Sequence, residues 1–195
     1  MAEIKEWLDI VDENGEPTGG IVERSIAHRE GIRHRTAHVW LARIRDGKVQ
    51  VLLQKRSLEK DSHPGCFDMS SGGHIPAGVD YVPSAIRELE EELGVKTGGE
   101  ELLYCGTRRF YWKDWFHGRP FVDNQVSRVY LLWKDPECFS LQETEVDQVC
   151  WMDFEACKRA VEENTIKHCI ALEELQMIEP QLSARVFPVA ESCDS

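Results

Sequence analysis

The stretch Val82-Pro83-Ser84-Ala85-Ile86-Arg87-Glu88-Leu89-Glu90-Glu91-Glu92-Leu93-Gly94 decides how the chain is read. Pro83 suits the first turn of a helix, where its missing N–H has no partner to lose, and Gly94 suits the residue just past the end. At about 100° per residue, with Glu88 set to zero, Val82, Ala85, Ile86, Leu89 and Leu93 fall between roughly 60° and 160°, which makes one apolar stripe. On the same scale Glu88, Glu91 and Glu92 fall between about −60° and 40°, and Glu90 points away at about 200°. Like charges three and four residues apart cost a helix about 0.2–0.5 kcal/mol per pair, so three converging carboxylates call for a cation. Oxygen ligands suit Mg²⁺ or Mn²⁺, which keep waters and accept substrate phosphates in their remaining positions. A solvated acidic face is the plain alternative.

Upstream lies Ser70-Ser71-Gly72-Gly73-His74-Ile75-Pro76-Ala77-Gly78, whose glycines let backbone approach a ligand and aim a carbonyl at the same ion. Gly73 to Val95 spans 23 residues. Gly73 followed by Arg87-Glu88-Leu89-Glu90-Glu91-Glu92-Leu93-Gly94-Val95 resembles the Nudix box, with every spacing kept. One position departs. Val79 stands where the pattern has its first Glu, so the ordering that Glu provides must come from elsewhere, Asp80 being the adjacent candidate.

The resemblance implies an α/β fold, the Nudix α/β/α sandwich with mixed β-sheets and a metal-binding helix at about 82–94. It also implies hydrolysis of a diphosphate linkage in a nucleoside diphosphate-type or other organic diphosphate. On that carry-over Glu88, Glu91, Glu92 and the Gly73 carbonyl hold Mg²⁺ or Mn²⁺, Arg87 orients a carboxylate, and Glu88 is the first choice to act on the attacking water.

A second resemblance, over roughly residues 5–155, is to the branch containing isopentenyl diphosphate isomerase and its hydrolase relatives. It rests on Leu53-Gln54-Lys55-Arg56-Ser57-Leu58-Glu59-Lys60 and Pro64-Gly65-Cys66-Phe67. There the positions of Arg56 and Lys60 reach the diphosphate, and His28, His34 and His74 occur near metal-binding histidines. His74 is also a candidate substrate contact. Isomerase chemistry needs a cysteine and a glutamate on opposite sides of a double bond. This chain has Gly72 and Gln125 at those positions, and Cys66, six residues upstream, sits in apolar sequence. Three readings stay open: a metal-dependent hydrolase, an isoprenyl diphosphate isomerase, and a non-catalytic sensor on the same fold. Glu143 and Glu145 are candidates for a late acidic residue that completes the metal site or positions water. Phe110 to Phe116, with His117, are expected on a selectivity loop, stacking on a base, or else filling a subunit interface or capping the core.

The rest of the chain bounds these readings. It has 195 residues, 42% hydrophobic and 30% charged, with no long linker or repeat, which predicts a single domain over 1–195. Mean hydropathy is −0.42. A formal charge of −12 disfavours duplex nucleic acid as a partner, and no stretch approaches the roughly 18 apolar residues of a membrane span. The seven cysteines, at 66, 105, 138, 150, 157, 169 and 193, form no CxxC pair, so reduced thiols and a cytoplasmic location are expected. Expected elements are a strand at Trp7–Val11 within a loop-like extension (1–35), then a hairpin of Ala37–Ile44 and Val49–Gln54 about Asp46-Gly47. Residues 57–81 should be mostly loop, with a short strand at Cys66–Ser70. Further strands are expected at Glu101–Tyr111, Val122–Trp133 and Val149–Met152. Residues 154–183 should be helical, packing on the sandwich or pairing with a partner, a second copy in a homodimer included.

Overall fold

Asp46 and Gly47 both take left-handed φ values, 51° and 73°, as a two-residue hairpin turn requires. They join strands at His34–Arg45 and Lys48–Arg56 with Arg45 paired to Lys48. In the computed structural model, which describes residues 5–116 and 118–186, this hairpin is the middle of a mixed sheet. His117, Cys193 and the two ends of the 1–195 span lie outside the described residues.

In chain order the strands are β1 (Trp7–Val11), β2 (Pro17–Glu23), β3 (His34–Arg45), β4 (Lys48–Arg56), β5 (Phe67–Asp68), β6 (Ser71–His74), β7 (Leu103–Phe116), β8 (Arg119–Trp133) and β9 (Val146–Asp153). The helices are α1 (Arg24–Glu30), α2 (Tyr81–Leu93), α3 (Phe154–Glu162) and α4 (Leu172–Val186). The sheet runs β5-β4-β3-β8-β7, with β6 added to β3 and β9 to β4; β1 and β2 form a separate ribbon. β3 and β8 are parallel and the other pairs antiparallel.

β3 is buried on both faces, and its side chains alternate between two cores. Ala37, Val39 and Leu41 meet Ala85, Leu89 and Leu93 of α2. Trp40 and Ala42 meet Phe154 and Cys157 of α3 and Leu175 and Ile178 of α4. Helices therefore cover both faces, giving the α/β/α arrangement. A third, small core of Leu8, Val22 and Ala27 holds the ribbon and α1 together.

Several elements differ from expectation. The extension at 1–35 contains a second strand and a helix as well as β1. The glycine segment after Cys66 is a strand, β6, paired to β3 with Ala37 opposite Gly73. The aromatic run lies within the β7–β8 hairpin and not on a loop, because its alternation satisfies two environments. Phe110 and Trp112 face the cavity described below, while Tyr111 and Trp115 are 59% and 68% exposed. The helices expected over 154–183 are two, and the stretch between them is not helical. Asn164 takes a left-handed φ of 55° and ends α3, which leaves 163–171 non-helical.

α2 begins one residue ahead of the quoted stretch, and Asp80 caps it: its carboxylate accepts from Tyr81 N at 2.7 Å and its carbonyl from Ser84 N at 3.2 Å. Gly94, at φ 70°, closes the other end, donating to the Glu90 carbonyl. Replacing Asp80 with Ala is expected to destabilise the protein by about 1 kcal/mol, measured by urea unfolding.

Candidate active site

The acidic helix lies along a cavity of about 560 Å³, lined by Glu88, Glu91 and Glu92 but not Glu90. Glu90 is exposed, 3.4 Å from Lys96. The three carboxylates are held differently. Glu92 is 2% exposed and accepts from Ser71 Oγ at 2.7 Å and Gly72 N at 3.2 Å, so α2 is tied to β6 through this side chain. Glu88 accepts from Arg87 Nη2 at 2.6 Å, and Glu91, half-exposed, lies 3.8 Å from Arg87 Nη1. Arg87 thus stands between the two and holds Glu88 the more closely.

Gly73 is glycine for a visible reason. A Cβ built there would lie 2.3 Å from Cδ of Glu88. The bare backbone lets the carboxylate press against β6, beside the Gly73 carbonyl.

Burial pushes the Glu88 carboxyl up to about 7, with the Glu92 charge adding to the effect. Burial does the same to Glu92, up to about 7, against the pull of Lys60 and the Ser71 bond. Two carboxylates this costly to ionise form a donor set that suits a small, hard divalent cation.

The segment around Val79 is tied to β1 and β3 by hydrogen bonds. The Asp9 carboxylate accepts from Gly78 N at 2.9 Å and Arg35 Nη2 at 2.8 Å, and the same nitrogen donates to the Val79 carbonyl at 2.8 Å. Asp80 contributes by capping the helix. Asp9 lies 70 positions before Val79 and belongs to no motif, so nothing in the sequence marks it.

The other expected site residues share the cavity wall. Arg56 donates to Asp68 at 3.2 Å and to the Ser62 carbonyl at 3.0 and 3.1 Å, which fixes its guanidinium. Lys60 is paired with Glu145, which also reaches the cavity; Glu143 is exposed and does not line it. Cys66 is buried outside the wall. His63, with a left-handed φ of 48°, stacks on Trp112 at 4.8 Å. Arg24 of α1 reaches the rim and bridges Glu6, at 3.7 Å, and Asp61, at 3.2 Å.

His28 and His74 of the wall meet His34, buried behind it, with ligand atoms within 4.8 Å of one another. His28 and His74 bring their Nε2 atoms to 3.0 Å. Burial pulls His28 down to about 3 and His34 to about 4, and holds His74 well below the usual histidine range. All three rings are therefore neutral, the form that binds metal. His28 Nδ1, His34 Nε2 and Asp123 Oδ1 are buried without hydrogen bonds. Imidazole nitrogens beside a carboxylate could hold a borderline cation such as Zn²⁺.

A family model described as NUDIX domain matches residues 33–172. Nudix hydrolase 3 of Arabidopsis thaliana is 42% identical over 161 residues, which make up 80% of this chain and 20% of that protein. An uncharacterised Nudix hydrolase of Yersinia pestis is 33% identical over 156 residues, 77% of this chain and 75% of the relative. Of solved structures, DR0079 from Deinococcus radiodurans has the same fold, with a TM-score of 0.63 at 20% identity over 89% of this chain and 98% of that one. The NUDIX domain of Shewanella oneidensis NrtR, complexed with ADP ribose, gives a TM-score of 0.55 at 19% identity, covering 78% of this chain and 88% of that domain. Nudix proteins generally use divalent metals such as Mg²⁺, as the acidic helix here suits. The family match takes in the glycine strand, the acidic helix and most of the cavity wall, and this chain belongs to the Nudix hydrolase family.

Proposed function

We propose that this chain hydrolyses organic diphosphates, with Mg²⁺ or Mn²⁺ held by Glu88, Glu91, Glu92 and the Gly73 carbonyl. The observation that carries the reading is the convergence of three glutamates of one helix on one cavity, Glu92 buried and Glu88 partly buried at the glycine strand. Divalent ions bound there would screen the diphosphate charge and acidify a water. Arg87 keeps the Glu88 carboxylate aimed, and Glu88 takes the proton of the attacking water. Arg56 and Lys60 stand where the diphosphate would meet the wall, and His74 borders it. Glu145, next to Lys60, faces Glu92 and is the late acidic residue of this site.

Isomerase chemistry fits less well. Gly72 and Gln125 occupy the proton-handling positions, and Gln125 is engaged with Thr36 Oγ1 at 3.2 Å. Cys169 is the one thiol in the wall among the described residues, and burial raises its pKa well above the usual range, which keeps it protonated. The six described cysteines are all unpaired, which supports a reducing, cytoplasmic setting.

The test is to incubate the protein with Mg²⁺ in ¹⁸O-water and a panel of nucleoside diphosphate derivatives, dinucleotides, coenzyme A and prenyl diphosphates. Hydrolysis should place one labelled oxygen on a phosphate product, and EDTA should abolish it. Turnover that is indifferent to EDTA, or proton exchange without phosphate release, would remove the proposal.

A further inference from the structure

The inner end of the cavity holds a charged assembly that diphosphate hydrolysis does not use. Glu174, in the first turn of α4, is 2% exposed and has both oxygens engaged. Oε1 accepts from His38 Nδ1 at 2.9 Å and lies 3.5 Å from Arg108 Nη1; Oε2 accepts from Trp40 Nε1 at 3.2 Å. A carboxylate buried this deeply is costly unless charged partners surround it, so its place here is tied to what it holds. Burial works against a charged His38, but the Glu174 carboxylate outweighs it and raises the imidazole pKa above its ordinary value.

With Nδ1 committed to Glu174, His38 Nε2 has no hydrogen bond to any described residue, while the ring lines the cavity. Gly72 leaves the space beside it open: a Cβ there would stand 3.4 Å from His38 Cδ2 and 3.2 Å from Met69 Sδ. Arg108 is held flat over Phe110, 4.3 Å from the ring centre, at the same end. The cavity wall thus brings carboxylates from α2 and the His38 ring from β3 together beside Gly72. The Nudix match stops at Leu172, so the carboxylate that holds His38 lies outside it.

We propose that His38, oriented by Glu174, makes a hydrogen bond through Nε2 to the organic part of the substrate. His38 then selects diphosphates whose organic group carries a polar oxygen or nitrogen over those ending in plain hydrocarbon. A polar ring nitrogen left facing hydrocarbon loses its water and gains no partner, the kind of mismatch that sites use to reject analogues lacking a polar group. This rests on the diphosphate reading above and adds which side chain reads the far half of the ligand.

The test is calorimetry with the whole chain in Mg²⁺, using hydrolysis-resistant probes. Methylenediphosphonate reports the diphosphate end alone. Adenosine, uridine and ribose methylenediphosphonates carry acceptors; isopentenyl and geranyl methylenediphosphonates do not. At least one acceptor-bearing probe should bind at least tenfold more tightly than both hydrocarbon probes. His38→Asn keeps a donor where Nδ1 meets Glu174 and removes the polar atom at Nε2; His38→Gln does the opposite. Asn should therefore lose at least tenfold in affinity for the preferred probe with methylenediphosphonate unchanged, and Gln should retain most of that affinity. If His38 only braces α4, the order reverses, with Asn native-like and Gln impaired, and the proposal is wrong. It is equally wrong if a hydrocarbon probe binds best, or if Asn weakens all probes alike. Failure of methylenediphosphonate to bind the native protein would instead overturn the diphosphate reading, and this inference with it.

Discussion

Replacing Glu88 with Gln is expected to lower kcat for diphosphate hydrolysis by about 10²–10³-fold, the usual cost of removing one charge stabiliser from a water-excluding site. The fold should survive, because Gln keeps the shape and still accepts from Arg87. A second measurement separates this from general damage. In the native protein the Glu88 carboxyl is pushed up to about 7 from an ordinary value of 4.5. Between those values the folded protein holds a proton that the unfolded chain has released, so metal-free stability falls as pH rises through that window. Metal-free Glu88→Gln should lose less stability between pH 5 and pH 8 than the native protein, as read by thermal melting. Unchanged kcat together with an unchanged pH profile would remove Glu88 from the site.

Gly73→Ala should cost about 10²-fold in kcat without touching any ionisable group. The added Cβ would sit 2.3 Å from Cδ of Glu88 and 2.6 Å from each of its oxygens, a separation that no packed carbon tolerates. The carboxylate must swing off β6, and a shift of about 1 Å in a positioning group costs that much in rate. Since β6 is paired to β3 by its backbone, the sheet should hold, and the melting temperature should fall only modestly. If displacement of Glu88 is the whole effect, Gly73→Ala added to Glu88→Gln should reduce kcat little further, because both changes disable one side chain. Full additivity would mean that Gly73 acts through another route.

The acidic helix was legible because its signals are local. The first-turn proline, the stripe, the terminal glycine and the divergence of Glu90 all follow from spacing over thirteen residues, Val82 to Gly94. The Asp46-Gly47 turn was legible for the same reason, since only residues tolerant of positive φ fit it. What was missed is held together across the chain. Asp9 of β1 ties down Gly78 and, through Arg35, the Val79 carbonyl. His38 and Glu174 meet across 136 residues, and Asp123 reaches the histidines from β8. The aromatic run misled because Phe and Trp at alternate positions look alike in a solvent-facing loop and in a strand with a cavity on one face. The break between the C-terminal helices was not located, because the tolerance of Asn164 for a left-handed backbone is a stop signal that apolar spacing hides.

β3 has a consequence for how ligand occupancy would be felt. Thr36, His38 and Trp40 face the cavity, while their immediate neighbours Ala37, Val39 and Leu41 are packed under α2, and the strand is bonded to β4, β6 and β8. Its amide protons can reach solvent only when the sheet itself comes apart, the highest-energy opening available to the molecule. A compound bound against β3 therefore slows amide exchange in the most protected unit and not merely at loops around the mouth, so ligand gripping and global resistance to opening share the same strand.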